Sequence, residues 1–318
     1  MIESSDIRAT TDQPRDAENT ALFVLVMVLS FLQFGALPLL FRAPLNSVLL
    51  VAIVVATPLH WGLAHESFHA RLNRGAGRNR AAGRALVWFL FMSWDLVRFG
   101  HLIHHDANRH ALDRPEVLVP GRSRLAGGFV YFAKLLGGHA VISVLSALGV
   151  LVPDAVMRRL IKQDSDDPEL AKIRSAVLRI FTSAERRGRI AADLLAIAAL
   201  GAAALWAWGD AWPVFAASLA LRWMALSILD NAAHYGTAIE SGRSARNTSL
   251  PAALQWLVMN QNLHGVHHAR PDLDWRKLPA AFDRQRARYA GSWLRQILHQ
   301  FRGPLRPNEL REVSAFAA

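Results

Sequence analysis

Residues 21–41 read ALFVLVMVLSFLQFGALPLLF, an apolar run whose only strongly polar side chains are Ser30 and Gln33. A helix rises about 1.5 Å per residue, so about twenty such residues cross a hydrocarbon layer roughly 30 Å thick. Inside that layer every backbone amide must bond within its own segment, which leaves helix as the conformation. Similar runs occupy 45–64, 190–208 and 212–231. The first follows a tight connection at Pro44, and the last two meet at Gly209 and Asp210. With 52% hydrophobic residues, the chain is expected to be an all-α integral membrane protein with four transmembrane helices.

Two further apolar segments are ambiguous. Residues 85–97 are too few for an ordinary span, and 129–152 are interrupted by Lys134, Gly137, Gly138 and His139. Arginines crowd 71–84, 158–189 and 243–246, whereas the turn at 209–212 carries only Asp210, so the arginine-rich stretches are placed in the cytoplasm. A fifth crossing at 129–152 would put the last histidine group across the membrane from the first. Both segments are therefore expected in the interface or in a cytoplasmic helical cap built from discontinuous sequence. With no repeat or low-complexity linker, the reading is one membrane domain over 21–300, a flexible polar tail at 1–20 and a C-terminal tail at 301–318.

The absence of cysteine rules out disulfides, thiolate metal ligands and an iron–sulfur cluster within the chain. The net charge of +11 lies between apolar segments and forms no basic stripe with interleaved aromatics, which argues against nucleic acid as a partner. Any bound metal must be held by nitrogen or oxygen.

Nitrogen is offered in an unusual pattern. HESFH at 65–69, taken alone, matches the HExxH motif of zinc proteases, with Glu66 as general base. Yet eight of thirteen histidines fall in three groups: His65 and His69; His101, His104 and His105 in HLIHH; His264, His267 and His268 in HGVHH. Positions three or four apart share a helix face, while neighbours such as His104 and His105 point about 100° apart and can serve two metals. Imidazole suits iron, copper, nickel and zinc, and the spacing favours a dinuclear site.

In order and placement, HESFH, HLIHH and HGVHH resemble the three histidine boxes of the membrane fatty-acid desaturase superfamily, which includes desaturases, alkane hydroxylases and carotenoid ketolases. The resemblance implies a non-haem di-iron centre of two iron ions, with O2 as co-substrate, beside a pocket for a long apolar chain. It adds His234 in LDNAAHYG as a lone ligand after the last span, making nine. An asparagine expected one turn before that histidine is replaced by Asp230, with Asn231 beside it. Asp230 is a candidate carboxylate ligand or neighbour of the ligands, and Glu66, Asn231 and Asn262 are candidate supports. The implied partners are a lipid or fatty acyl substrate, membrane lipids and an external electron donor of ferredoxin, rubredoxin or cytochrome type. The implied setting is a bacterial inner membrane, with the boxes facing the cytoplasm.

The leading expectation is O2-dependent oxidation of an unactivated C–H bond in a lipid, namely acyl desaturation. Alternatives are a hydroxylase or ketolase acting on a lipid, alkane or carotenoid, an intramembrane HExxH zinc protease, and a noncatalytic metal or lipid binder. Other polar residues are read more plainly. His60 is expected to make a structural hydrogen bond, and His110, His139 and His299 to stand outside the site. Asn260 is a cap or a support for the last box. Arg222 is a charge within the fourth span, with Asp193 as a candidate structural partner. Trp206, Trp208 and Trp212 form an interfacial belt, and Trp275 packs over the boxes.

Overall fold

The computed structural model describes residues 16–40, 45–161, 165–239 and 245–311. Among them the regular structure is helical, apart from isolated β-bridges. The principal helices are α1 (Asp16–Phe31), α2 (Leu45–Val55), α3 (Thr57–Phe68), α4 (Ala76–Trp88), α5 (Trp94–Asp106), α6 (Arg124–Ala133), α7 (His139–Ala147), α8 (Pro168–Thr182), α9 (Ala184–Trp208), α10 (Trp212–Ala232) and α11 (His264–Ala269).

By length and apolarity the continuous stretches Ala17–Leu40, Arg124–Leu151 and Ala184–Ala232 qualify as membrane spans, and the bent pair α2 and α3 makes a fourth. The 41° bend falls just before Thr57 and Pro58, where the proline ring has no N–H to donate and crowds the preceding turn. Ala184–Ala232 is a hairpin folded at Gly209, whose φ of 48° and ψ of −128° lie outside the helical region. Phe91 packs against both Gly201 on α9 and Phe215 on α10, so the two helices run back beside each other.

The segment expected to avoid crossing is broken where Gly137 takes φ 105°, a conformation glycine adopts without strain. Its first arm returns to the C-terminal end of α10, where Asn231 donates to the Tyr131 hydroxyl at 3.2 Å. The break rests on Trp223 and Met224 at mid-α10, and the second arm packs Ala147 and Val150 with Ile190 near the start of α9. The segment thus dips into the bundle and comes back to the end of the hairpin from which it left. Residues 85–97 do likewise as the end of α4, a turn and the start of α5, with Phe89 seated edge-on against Phe34 at 4.9 Å.

Parts of both segments expected as tails pack against the rest of the described fold. Near the start of α1, Asn19 is buried, its amide donating to Leu72 O at 2.9 Å and its oxygen accepting the Trp275 indole N–H at 3.2 Å. At the other end, Leu305 N donates to Glu116 O at 2.7 Å and Arg311 N to Gly236 O at 3.0 Å. The remaining tail residues, 1–15 and 312–318, lie outside the described residues, as do Pro44 and Arg243 of the arginine stretch at 243–246.

The expected Arg222–Asp193 pair does not form. Arg222 is buried and donates to Gln33 Oε1, Thr57 Oγ1 and His60 Nδ1, while His60 Nε2 bonds Leu86 O at 2.9 Å. Accepting at Nδ1 fixes the tautomer that donates from Nε2, so His60 is the structural residue the sequence suggested. Asp193, fully buried, accepts from Arg84 Nε, Trp88 Nε1 and Ser93 Oγ, each at 2.7 Å. Two polar side chains in neighbouring spans are not thereby partners: Arg222 found its acceptors on the first span and α3, and Asp193 its donors on α4 and just before α5. The tryptophan belt also divides, with Trp206 and Trp212 exposed while Trp208 is buried and donates to Gln33 O at 2.9 Å.

Candidate metal centre

All nine histidines come together. His65 and His69 stand one turn apart at the end of α3, His101, His104 and His105 on α5, His264, His267 and His268 on α11, and His234 just past α10. They sort into a group of five (His65, His69, His101, His105, His267) and a group of four (His104, His234, His264, His268), each with its ligand atoms within 4.8 Å of one another. The adjacent pairs His104/His105 and His267/His268 divide between the groups, as their angular offset on a helix requires.

The ring nitrogens face one another at spacings that suit a shared ion. His69 Nε2 lies 2.7 Å from His101 Nε2, and His105 Nε2 lies 3.1 Å from both His101 Nε2 and His267 Nε2. In the second group, His104 and His234 are 3.1 Å apart and His264 and His268 3.2 Å, again between Nε2 atoms. Two imidazoles bound at about 2.1 Å and a right angle apart would place their nitrogens about 3 Å from each other. His65 Nε2 is buried with no hydrogen-bond partner, a donor atom aimed into the group of five. The donor set therefore fits a pair of borderline metal ions, and five nitrogens exceed the four ligands of a tetrahedral zinc site.

Burial keeps these lone pairs available. Outside the spans, His69, His101, His264, His267 and His268 are held well below the usual imidazole range by desolvation first, and then by neighbouring histidines. His104 is the exception: burial pulls it down, but Asp113, through charge and a hydrogen bond, and then Asp230 outweigh it and raise it. The Asp113 carboxylate contacts His104 Nδ1 at 2.8 and 3.0 Å, a bond that orients the ring and leaves Nε2 for a metal.

Other residues orient the ligands without having been picked out from sequence. Gln261 bridges the two groups, its Nε2 3.3 Å from His65 Nδ1 and its Oε1 3.2 Å from His264 Nδ1. The Asn108 amide reaches His268 Nδ1 at 3.4 Å, where its oxygen would accept a ring N–H. Arg109, buried and paired with Glu116 at 2.7 Å, donates to Thr237 O at 2.8 Å and so ties down the turn that carries His234. Gln261 had a readable signal, standing three residues before His264. Asp113 reaches His104 by a loop that no helical period describes.

The candidate supports named from sequence divide. Glu66 joins neither group; its Oε2 accepts the Trp275 N–H at 3.3 Å, holding that tryptophan beside the boxes. Asn262 donates to Thr248 O at 2.9 Å and Asn260 to Trp275 O at 3.1 Å, so both brace the loop that presents the last box. Asn231 turns away, donating to Gln300 Oε1 at 2.8 Å. Asp230 also lies outside both groups and lines a cavity. Of the histidines set aside, His110 pairs with Asp167 at 2.9 Å, His299 packs on Tyr235 and His139 lines the same cavity as Asp230.

That cavity, about 350 Å³, runs from His101 and His104 between apolar walls that include Trp61, Met92, Trp223 and Leu226. A smaller one, about 50 Å³, lies on the other side of Trp61 and Asp230 and touches His65 and His264. Both candidate metal groups therefore border a cavity. A family model described as Fatty acid desaturase matches residues 42–298. No curated protein sequence matches the chain.

Proposed function

Since the chain belongs to the fatty acid desaturase family, we propose that it oxidises an unactivated C–H bond in a lipid, desaturating a fatty acyl chain at two iron ions held by its nine histidines. The observation that carries this reading is the division of those histidines into groups of five and four beside one apolar cavity. Iron bound there would supply activation of O2 and removal of hydrogen from carbon. The overall balance is one CH2–CH2 unit, O2, two electrons and two protons giving one CH=CH unit and two waters.

The chain's own residues do the rest. The buried imidazoles stay neutral and present their lone pairs, Asp113 holds His104, and Gln261 sets His65 and His264 relative to each other. Trp61, Trp223, Met92 and Leu226 confine a chain so that one segment lies against His101 and His104 and exclude bulk water from it. Electrons come from a separate donor protein, because the chain has no cysteine for an iron–sulfur or rubredoxin-like centre. The histidine end faces the cytoplasm, where the arginine-rich segments offer an acidic donor a landing surface.

A zinc protease accounts for this arrangement less well, because the Glu66 carboxylate is bonded to Trp275 N–H and seven further histidines surround the HExxH pair. Metal analysis and lipid profiling with a reducing system test the proposal together. About two irons per chain and a new double bond, without label from ¹⁸O2 in the product, are expected. Labelled alcohol would mean hydroxylation, one zinc with peptide cleavage a protease, and bound metal without O2 uptake a noncatalytic binder. Protease sites engineered at 165–185 should be cut only from the cytoplasmic side.

A further inference from the structure

The cavity beside His101 and His104 carries ionisable groups that the proposed metal chemistry does not use. Its walls are apolar over most of their length, yet Asp230 and His139 both open onto it. Asp230 and His139 are both exposed, and each borders this cavity, Asp230 also the smaller one beside it. Of the other polar lining groups, His104 is engaged with Asp113, His110 with Asp167, and Ser143 Oγ with His139 O at 3.0 Å, while the Ser227 hydroxyl lies on the same wall as Asp230. Neither the Asp230 carboxylate nor the His139 ring has a hydrogen-bond partner among the described residues. The two are near enough to interact electrostatically, and Asp230 also acts on His104.

A plain alkyl chain filling this space would strip water from a carboxylate and an imidazole and return no hydrogen bond to either, a cost for any polar group removed from water. The ligand that suits the pair is defined by its donors and acceptors. Asp230 calls for a donor. A ring N–H of His139 calls for an acceptor. A carbonyl answers only the second and an ammonium only the first, whereas one hydroxyl donates to the carboxylate and accepts from the ring.

We infer that Asp230 and His139 form a hydroxyl-binding subsite, and that the natural substrate is a hydroxylated lipid whose hydroxyl lies close to the carbon that is oxidised. The inference rests on the acyl-oxidation reading and sharpens its substrate class. Asp230 acts here as a specificity residue, which its position outside both histidine groups allows.

The test uses the full-length, iron-loaded protein in lipid nanodiscs. A brominated acyl chain that quenches the cavity tryptophans Trp61 and Trp223 serves as the bound probe, displaced by a saturated long acyl chain or by the same chain carrying one hydroxyl at successive positions. At least one hydroxyl position should bind tenfold or more tighter than the parent chain. In Asp230→Leu and in His139→Leu that preference should fall to within about twofold, with parent-chain binding kept or improved. Parent-chain binding and retained iron show that a variant is folded, and Asp230→Asn, which keeps an acceptor, should retain part of the preference.

The inference is overturned if no position outcompetes the parent chain, or if the preference survives both leucine variants. It is equally overturned if Asp230→Leu loses its iron, which would make Asp230 a ligand. Turnover separates the two readings. Oxidation of plain chains without preference removes the subsite and leaves the lipid oxidase. Selective binding of a hydroxylated chain that no reducing system oxidises removes the oxidase and leaves the subsite.

Discussion

Asp193 offers the sharpest test of how the histidine-bearing helices are held. Its carboxylate is fully buried and takes three donors at 2.7 Å: Arg84 Nε and Trp88 Nε1 from α4, and Ser93 Oγ from the residue that precedes α5. Asp193→Ala leaves these donors unanswered. Arg84 is the least affected, being partly exposed and bonded also to Arg189 O at 2.9 Å. Ser93 and Trp88 bear most of the loss, and breaking a buried, hydrogen-bonded charge pair from one side costs about 3–5 kcal/mol. Because Ser93 anchors the start of the helix that carries His101, His104 and His105, part of that loss should appear at the metal groups. Chemical unfolding in mixed micelles, read beside iron content, is the assay. Asp193→Asn, which still accepts from Arg84 and Trp88 while the Ser93 hydroxyl turns to accept from the amide, should cost roughly half as much. Arg222→Met shares no partner with Asp193, so the double variant should be additive to within about 0.5 kcal/mol. If Asp193→Ala stays within about 1 kcal/mol of wild type and keeps its iron, the three-donor account is wrong.

Four further outcomes follow from the site. Glu66→Gln should keep iron and activity, because an amide oxygen can still accept the Trp275 N–H; loss of activity with iron retained would restore Glu66 as a general base. Asp113→Ala should weaken metal binding at the group of four by about 10–100-fold, leaving near one iron per chain after mild chelation, whereas uniform loss of both irons would contradict the division of the groups. Gln261→Ala should perturb the iron spectroscopic signals of both groups at once, since its amide reaches His65 in one and His264 in the other. The metal-free protein should lose stability as pH falls below about 6.5. There the unfolded chain takes up protons that the buried His69, His101, His264, His267 and His268 refuse, at up to about 1.4 kcal/mol per pH unit for each. His104, raised by Asp113 and Asp230, opposes this weakly, and a pH-independent melting curve between 5 and 7 would show the histidines are open to water.

The histidine spacing was legible because a helix converts sequence intervals into directions. Residues three or four apart share a face and adjacent ones do not, so the split of His104 from His105 and of His267 from His268 follows from one-dimensional data. The long apolar helices were legible for a similar reason, since hydrocarbon admits little else, whereas the break of 129–152 at Gly137 against mid-α10 was not, that segment having been expected in the interface or a cap. Nor was the anchoring of Asn19 legible, because it is a polar residue in a polar stretch until Leu72 and Trp275 close around it.

Sequence by itself therefore determined which histidines come together and which segments are long and apolar enough to cross a membrane, since both depend on local geometry and on the solvent that surrounds a helix. Only the tertiary structure decided what those atoms lean on. Gln261 bridging two groups, Asp113 reaching back to His104, Arg222 finding Gln33 and His60 instead of Asp193, and Asp230 facing a cavity are all contacts between distant segments. A polar side chain in a low-dielectric interior takes whichever partner the packing brings within about 3 Å, and packing is a property of the whole fold.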